Sequence, residues 1–129
     1  MPTIANSIFS ETVDGLSQVL RASGYQLLLG QTQYDASEEL ALVQAFVGRR
    51  VDGLVLTGTA HARGVRALLE RAGIPVVETW DLAGRPIDMR VGFSNRRAGE
   101  AAAGYLIDRG YRRFAFIGGG DDRSATRLA

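Results

Sequence analysis

A chain of 129 residues is long enough to bury one core and too short for two ordinary domains. A hydrophobic share of 46% beside a charged share of 22% marks a globular protein, and a net charge of +1 excludes a polyanion-binding surface built on charge alone. The lack of cysteine excludes disulfides and thiolate metal sites. With no signal-peptide pattern at the start and no apolar run of membrane-spanning length, the expectation is a soluble, cytoplasmic domain without membrane contact.

Phe9, Val13, Leu16 and Leu20 recur at helical spacing and predict a first helix over residues 10–22, followed by a strand at 25–29. Asp35, with Glu38 three residues on, has the form of a capping box, and Leu40, Val43, Phe46 and Val47 give the next helix its apolar face. Val51-Asp52-Gly53 leads into a strand at 54–56 that ends at Thr57-Gly58. Val65, Leu68, Leu69 and Ala72 mark a third helix, and residues 74–78 a third strand. A loop over 79–88 holds one of the three prolines, Pro86, and a short extended piece follows at 89–93. An alanine-rich helix over 97–108 and a strand at 114–117 complete the reading.

One phrase recurs three times: an amphipathic helix, a glycine (Gly24, Gly73, Gly110), then a short apolar run. Glycine just past a helix closes it in the left-handed conformation at little steric cost. The apolar runs read as buried parallel strands, so the fold class is α/β, a doubly wound parallel sheet with helices on both faces. Ligands of such sheets bind at the carboxyl ends of the strands. Residues 1–9 read as a loop running straight into a helix, and residues 124–129 as a helix barely begun. The expectation is a piece of a longer protein, a sheet lacking its first strand, and no direct contact between residues 25–29 and 54–56.

Six segments resemble, in order and spacing, the effector-binding core of LacI/GalR-type bacterial transcription regulators. They are Asn6-Ser7-Ile8-Phe9, Val13-Asp14-Gly15, Gly24-Tyr25 with Gln26-Leu27-Leu28-Leu29, Val51-Asp52-Gly53-Leu54-Val55-Leu56, Gly73-Ile74-Pro75-Val76-Val77, and Gly110-Tyr111 through Phe114-Ala115-Phe116-Ile117-Gly118-Gly119. Glu78-Thr79-Trp80-Asp81, Pro86-Ile87-Asp88-Met89 and Val91-Gly92-Phe93-Ser94-Asn95 are most similar to gluconate-operon repressors. The resemblance implies a periplasmic-binding-protein-like N-terminal subdomain over residues 1–129. A second subdomain and a helix-turn-helix for operator DNA would lie outside this span. It further implies a homodimer, a sugar or sugar-acid effector such as gluconate, no cofactor, no metal and no enzymatic activity.

Polyol recognition needs amides and carboxylates that fork between hydroxyls, an aromatic face for the C–H side, and arginine for a carboxylate. Asn6, Phe9, Trp80, Asp81 and Arg127 have these chemistries, and Thr57 and Asn95 stand at strand-end positions. By the resemblance, Arg127 corresponds to the family's effector-contacting arginine.

Other features read as structural. Gly118-Gly119-Gly120-Asp121-Asp122 lacks phosphate-loop spacing, and its aspartates would repel a phosphate. His61 has no acid or nucleophile partner visible in sequence and reads as a helix-start residue. The Arg49-Arg50, Arg96-Arg97 and Arg112-Arg113 doublets fall on separate elements and form no stripe. The alternatives are a periplasmic-type sugar-binding protein and a small α/β enzyme. A phosphoacceptor receiver would need a lysine, and the chain has none.

Overall fold

A computed structural model describes residues 1, 7–33 and 35–117. Along the chain these form α1 (Ser7–Ala22), α2 (Ala36–Gly48), β1 (Leu54–Thr57), α3 (Val65–Ala72), β2 (Val76–Thr79), β3 (Met89–Val91) and α4 (Asn95–Asp108). The three strands pair in the order β1-β2-β3, all parallel. The α/β class and the parallel sheet agree with the sequence reading.

Local chemistry accounts for the element ends. Asp35 caps α2 from an extended conformation, its carboxylate accepting from the backbone N–H of Ser37 at 2.7 Å and of Glu38 at 3.4 Å. The capping box is half made, because the Asp35 N–H donates to Thr32 O at 2.7 Å and not to Glu38. Ser94 caps α4 by accepting from Arg97 N, which starts that helix at Asn95, two residues earlier than predicted. The three phrase-ending glycines, Gly24, Gly73 and Gly110, have φ of 82°, 65° and 85°. A side chain at any of them would be strained.

The core lies where α2 and α3 meet the sheet. Val43 of α2, Leu56 of β1, Val65 and Leu69 of α3 and Val76 of β2 form one buried cluster, with Leu40, Leu68, Ile74 and Ile87 packed around it. Burial of each such side chain stabilises the fold by about 1.5–3 kcal/mol.

Two expected strands join no ladder among the described residues. Residues 25–29 lie across a groove from β1, so no ladder joins them. Residues 114–117 have no strand partner among the described residues, and Phe116 and Ile117 are 76% and 94% exposed. A strand is defined by its pairing, and apolar composition alone does not supply a partner. The groove has a volume of about 660 Å³ and runs along the edge of β1 that faces away from β2. Leu16 and Leu20 of α1, Leu27, Phe46 and Val55 give it an apolar lining. At its mouth the Met1 amino group donates to Gly30 O and Thr32 N donates to Met1 O, both at 2.9 Å. That pair of bonds is the pattern of a parallel bridge to Gln31.

Leu69, 1% exposed, is the keystone of the α3 contact. Leu69→Ala should destabilise the fold by about 2–5 kcal/mol, read as a shifted denaturation midpoint at unchanged slope. A loss below about 1 kcal/mol would show that α3 does not pack as described.

Candidate functional site

The parallel register aligns Thr57, Thr79 and Val91 side by side at the carboxyl ends of the three strands. The ladder runs one step further: Gly58 N donates to Thr79 O at 2.8 Å and Trp80 N to Val91 O at 3.1 Å. The Thr79 hydroxyl donates to Leu56 O at 2.9 Å and ties β2 back to β1. Trp80 then turns the chain with φ of 75°, a left-handed conformation that costs a bulky residue about 1–3 kcal/mol.

Its surroundings hold that turn. Gly92 passes so close that a Cβ there would lie 2.7 Å from Asp81 N and 2.8 Å from Asp81 O, so only glycine fits. The indole meets Phe9 of α1 edge-on at 5.3 Å and Phe93 edge-on at 5.9 Å. Such pairs contribute about 0.5–1.5 kcal/mol beyond area burial. Phe9 is buried while Phe93 is 49% exposed, so the aromatic trio opens to solvent on one side.

The loop after Trp80 is anchored along its length. Asp81 Oδ1 accepts from Leu82 N at 2.6 Å and Ala83 N at 3.1 Å, and Oδ2 accepts from the Thr59 hydroxyl at 3.3 Å. Oδ2 retains a lone pair for one more donor. Arg90 of β3 donates to Leu82 O and Gly84 O, and Arg66 of α3 to Arg85 O and Pro86 O. Asp88 accepts from Val76 N at 3.1 Å.

The segment between β1 and α3 carries an arrangement that corrects the reading of His61 as partnerless. Its Nδ1 is 2.7 Å from Glu39 Oε1, and its Nε2 is 3.1 Å from Glu78 Oε1. The remaining carboxylate oxygens are also engaged: Glu39 Oε2 accepts from Ala62 N and Glu78 Oε2 from Ile87 N, both at 2.7 Å. The His61 side chain is 6% exposed and that of Glu78 fully buried. Both ring nitrogens donate only in the imidazolium form. Burial disfavours that cation, but hydrogen bonds and charge from Glu39 and Glu78 outweigh it and raise the His61 pKa above its ordinary 6.5. Burial also opposes ionised Glu39, yet bonds from His61 and Ala62 N and the His61 charge bring its pKa below 4.5. The carboxylates sit at opposite ends of the ring, so they converge on no common point. Among the described residues no group of three or more His, Asp or Glu is arranged to hold a metal.

Of the candidate residues, Phe9, Thr57, Trp80 and Asp81 cluster at the strand ends, with Phe9, Thr57 and Trp80 lining the polar, aromatic end of the groove. Asn95 opens α4, two residues beyond Phe93. Asn6 and Arg127 lie outside the described residues, as does the 118–122 glycine-aspartate turn. Sequence reasoning missed Phe93, Glu39, His61 and Glu78. The available signal was Glu78, which occupies an inward strand position, alternating with Val76, where the pattern calls for an apolar residue.

No described helix is long and apolar enough to cross a membrane. The Periplasmic binding protein domain family matches residues 1–118. The HTH-type transcriptional regulator GntR of Pseudomonas aeruginosa is 41% identical over 119 residues, which are 92% of this chain and 34% of that protein. A LacI family transcriptional regulator from Silicibacter pomeroyi superposes with a TM-score of 0.90 at 40% identity, over 98% of this chain and 48% of that one. The transcription regulator GntR from Chromobacterium violaceum superposes with a TM-score of 0.84 at 43% identity, over 99% and 47%. The chain thus spans about a third of the curated relative and about half of each solved structure.

The His61 arrangement sets a pH window. Its pKa is raised on folding, so its stabilisation is complete below 6.5 and is lost as pH rises through the folded value. That of Glu39 is lowered, so its stabilisation is present above 4.5 and lost as pH falls through the folded value. Thermal unfolding at a series of pH values should therefore show a plateau between 4.5 and 6.5. His61→Gln should flatten the alkaline limb, and an unchanged limb would refute the assignment.

Proposed function

The chain belongs to the LacI/GalR regulator family through its periplasmic binding protein domain, and on that premise we propose that it is the N-terminal half of an effector-sensing core. The effector is a sugar or sugar acid, with gluconate the first candidate, and the complete protein is a dimeric repressor that reads operator DNA through a helix-turn-helix outside this span. The observation that carries the reading is the strand-end cluster. An open aromatic trio built on Trp80 stands beside Asp81 and Thr59, on a loop whose main chain is fixed in advance.

These groups match a polyol. The indole offers an apolar wall to C–H faces, and Asp81 Oδ2 can accept from a hydroxyl. A second subdomain would close the cleft from the other side, with effector favouring one closure angle. Such closure changes how a dimer presents its DNA-reading heads and requires no bond making or breaking.

Arg127 is assigned to the effector carboxylate, since a guanidinium fork suits that group. Arg127→Ala should lower the affinity of the complete protein for a sugar acid about ten- to hundredfold without unfolding it. Trp80→Ala should also weaken binding, by loss of a wall and not of a charge. Calorimetry checks both: absence of heat with sugar acids, or equal affinity in the Arg127 variant, would remove this ligand.

The outer face of α1 is assigned to self-association. Glu11, Asp14 and Arg21 are exposed there, and open space surrounds Gly15, which permits close approach. Charge reversal at Glu11 and Asp14 should weaken the dimer of the complete protein in sedimentation; an unchanged dimer would place the contact elsewhere.

A further inference from the structure

The Glu39–His61–Glu78 cluster is not needed to explain the fold class, yet it joins α2 to β2 and to the two loops that carry Thr59 and the Trp80–Asp81 turn. Glu39 comes from α2, His61 and Ala62 from the segment between β1 and α3, Glu78 from the middle of β2, and Ile87 from the loop that begins at Trp80. Thr59, which donates to Asp81, lies two residues before His61; Trp80 lies two residues after Glu78. Any movement of His61 relative to Glu78 is therefore a movement of Thr59 relative to the Trp80–Asp81 turn.

We propose that His61 is a positioning residue for effector binding: held at both ring nitrogens by Glu39 and Glu78, it locks the loop after β1 to the Trp80–Asp81 turn, and the site keeps its shape only while that grip is whole. The proposal rests on the effector-binding reading above. Loss of the ring proton leaves one nitrogen as an acceptor facing a carboxylate oxygen, an arrangement in which two lone pairs oppose each other. Glu39 is partly solvated and can relax outward, whereas Glu78 is fully buried and can escape the opposed lone pair only by moving.

Other charges near the cluster are already committed. Arg90 of β3 stands opposite Glu78 in the ladder and donates both terminal nitrogens, to Leu82 O and Gly84 O, while its buried Nε has no hydrogen-bond partner among the described residues. Asp88 accepts from Val76 N, and Arg66 of α3 donates to Arg85 O and Pro86 O; the Met1 amino group interacts with Glu39, and burial lowers its pKa from 8.0. Within the cluster the imidazole is the group that His61→Gln removes, and the variant therefore separates its titration from that of the nearby Met1 amino group.

The test uses the complete protein and its only tryptophan within this span, Trp80. Emission without ligand, and calorimetric affinity for gluconate, are followed from about pH 5.5 to about pH 8.5. Wild-type emission should shift with a single titration, and affinity should fall about tenfold across the range, a change equal to about 1.4 kcal/mol. His61→Gln should bind about tenfold more weakly at the acidic end and show neither pH dependence, while its circular dichroism stays native. Glu78→Gln should lose the same pH dependence. Native-like affinity with an unchanged pH profile in His61→Gln would overturn the proposal, as would wild-type emission that does not titrate. If no sugar acid binds the wild type but the emission titration is present and vanishes in His61→Gln, the lock stands and the effector assignment alone falls.

Discussion

A carboxylate with no solvent exposure sits in the middle of the central strand, and the organisation of the strand-end site follows from keeping it satisfied. An unpaired buried charge costs several kcal/mol, so Glu78 is tolerable only with a cation and further donors in reach. His61 and the Ile87 N–H supply them, and each has to come from a different loop. Glu39 then completes the His61 contacts from α2. One ionic requirement thereby fixes α2, the segment before α3 and the loop after β2 against β2.

Replacing such a cluster by apolar side chains of similar volume is often neutral or stabilising in other proteins. Apolar packing, however, would let the two loops slide past one another. Directional bonds of 2.7 Å and 3.1 Å at opposite ends of one ring define a distance between them. A site built from a threonine on one loop and an aspartate on the other depends on that distance.

Helices, the two better strands and the phrase-ending glycines were legible in the sequence because they are local. Periodicity places Leu69 inside, and a glycine past a helix leaves few conformations for the turn. The strands expected at 25–29 and 114–117 have no ladder partner among the described residues, because pairing is a property of the neighbour and not of the apolar run itself. The strand-end position of Trp80 and Asp81 was legible, since topology sends ligand sites there. Partners of His61 were not, because Glu39 and Glu78 are 22 and 17 residues away in sequence and converge only after the sheet and α2 are in place. Phe93 was passed over for the same reason: its contact with Trp80 exists only once β3 lies beside β2.

The two guanidinium clamps on the loop after Trp80 grip main-chain oxygens, at Leu82 and Gly84 from Arg90 and at Arg85 and Pro86 from Arg66. None of these bonds reads the side chain of the residue it holds. Leu82, Ala83 and Arg85 are exposed and can be exchanged while the path of the loop stays the same. Loops that border binding sites vary readily in sequence, usually at the expense of their geometry. Here shape and chemical identity are uncoupled, which makes this rim evolvable: new specificities can be sampled by substitution without the scaffold being rebuilt each time.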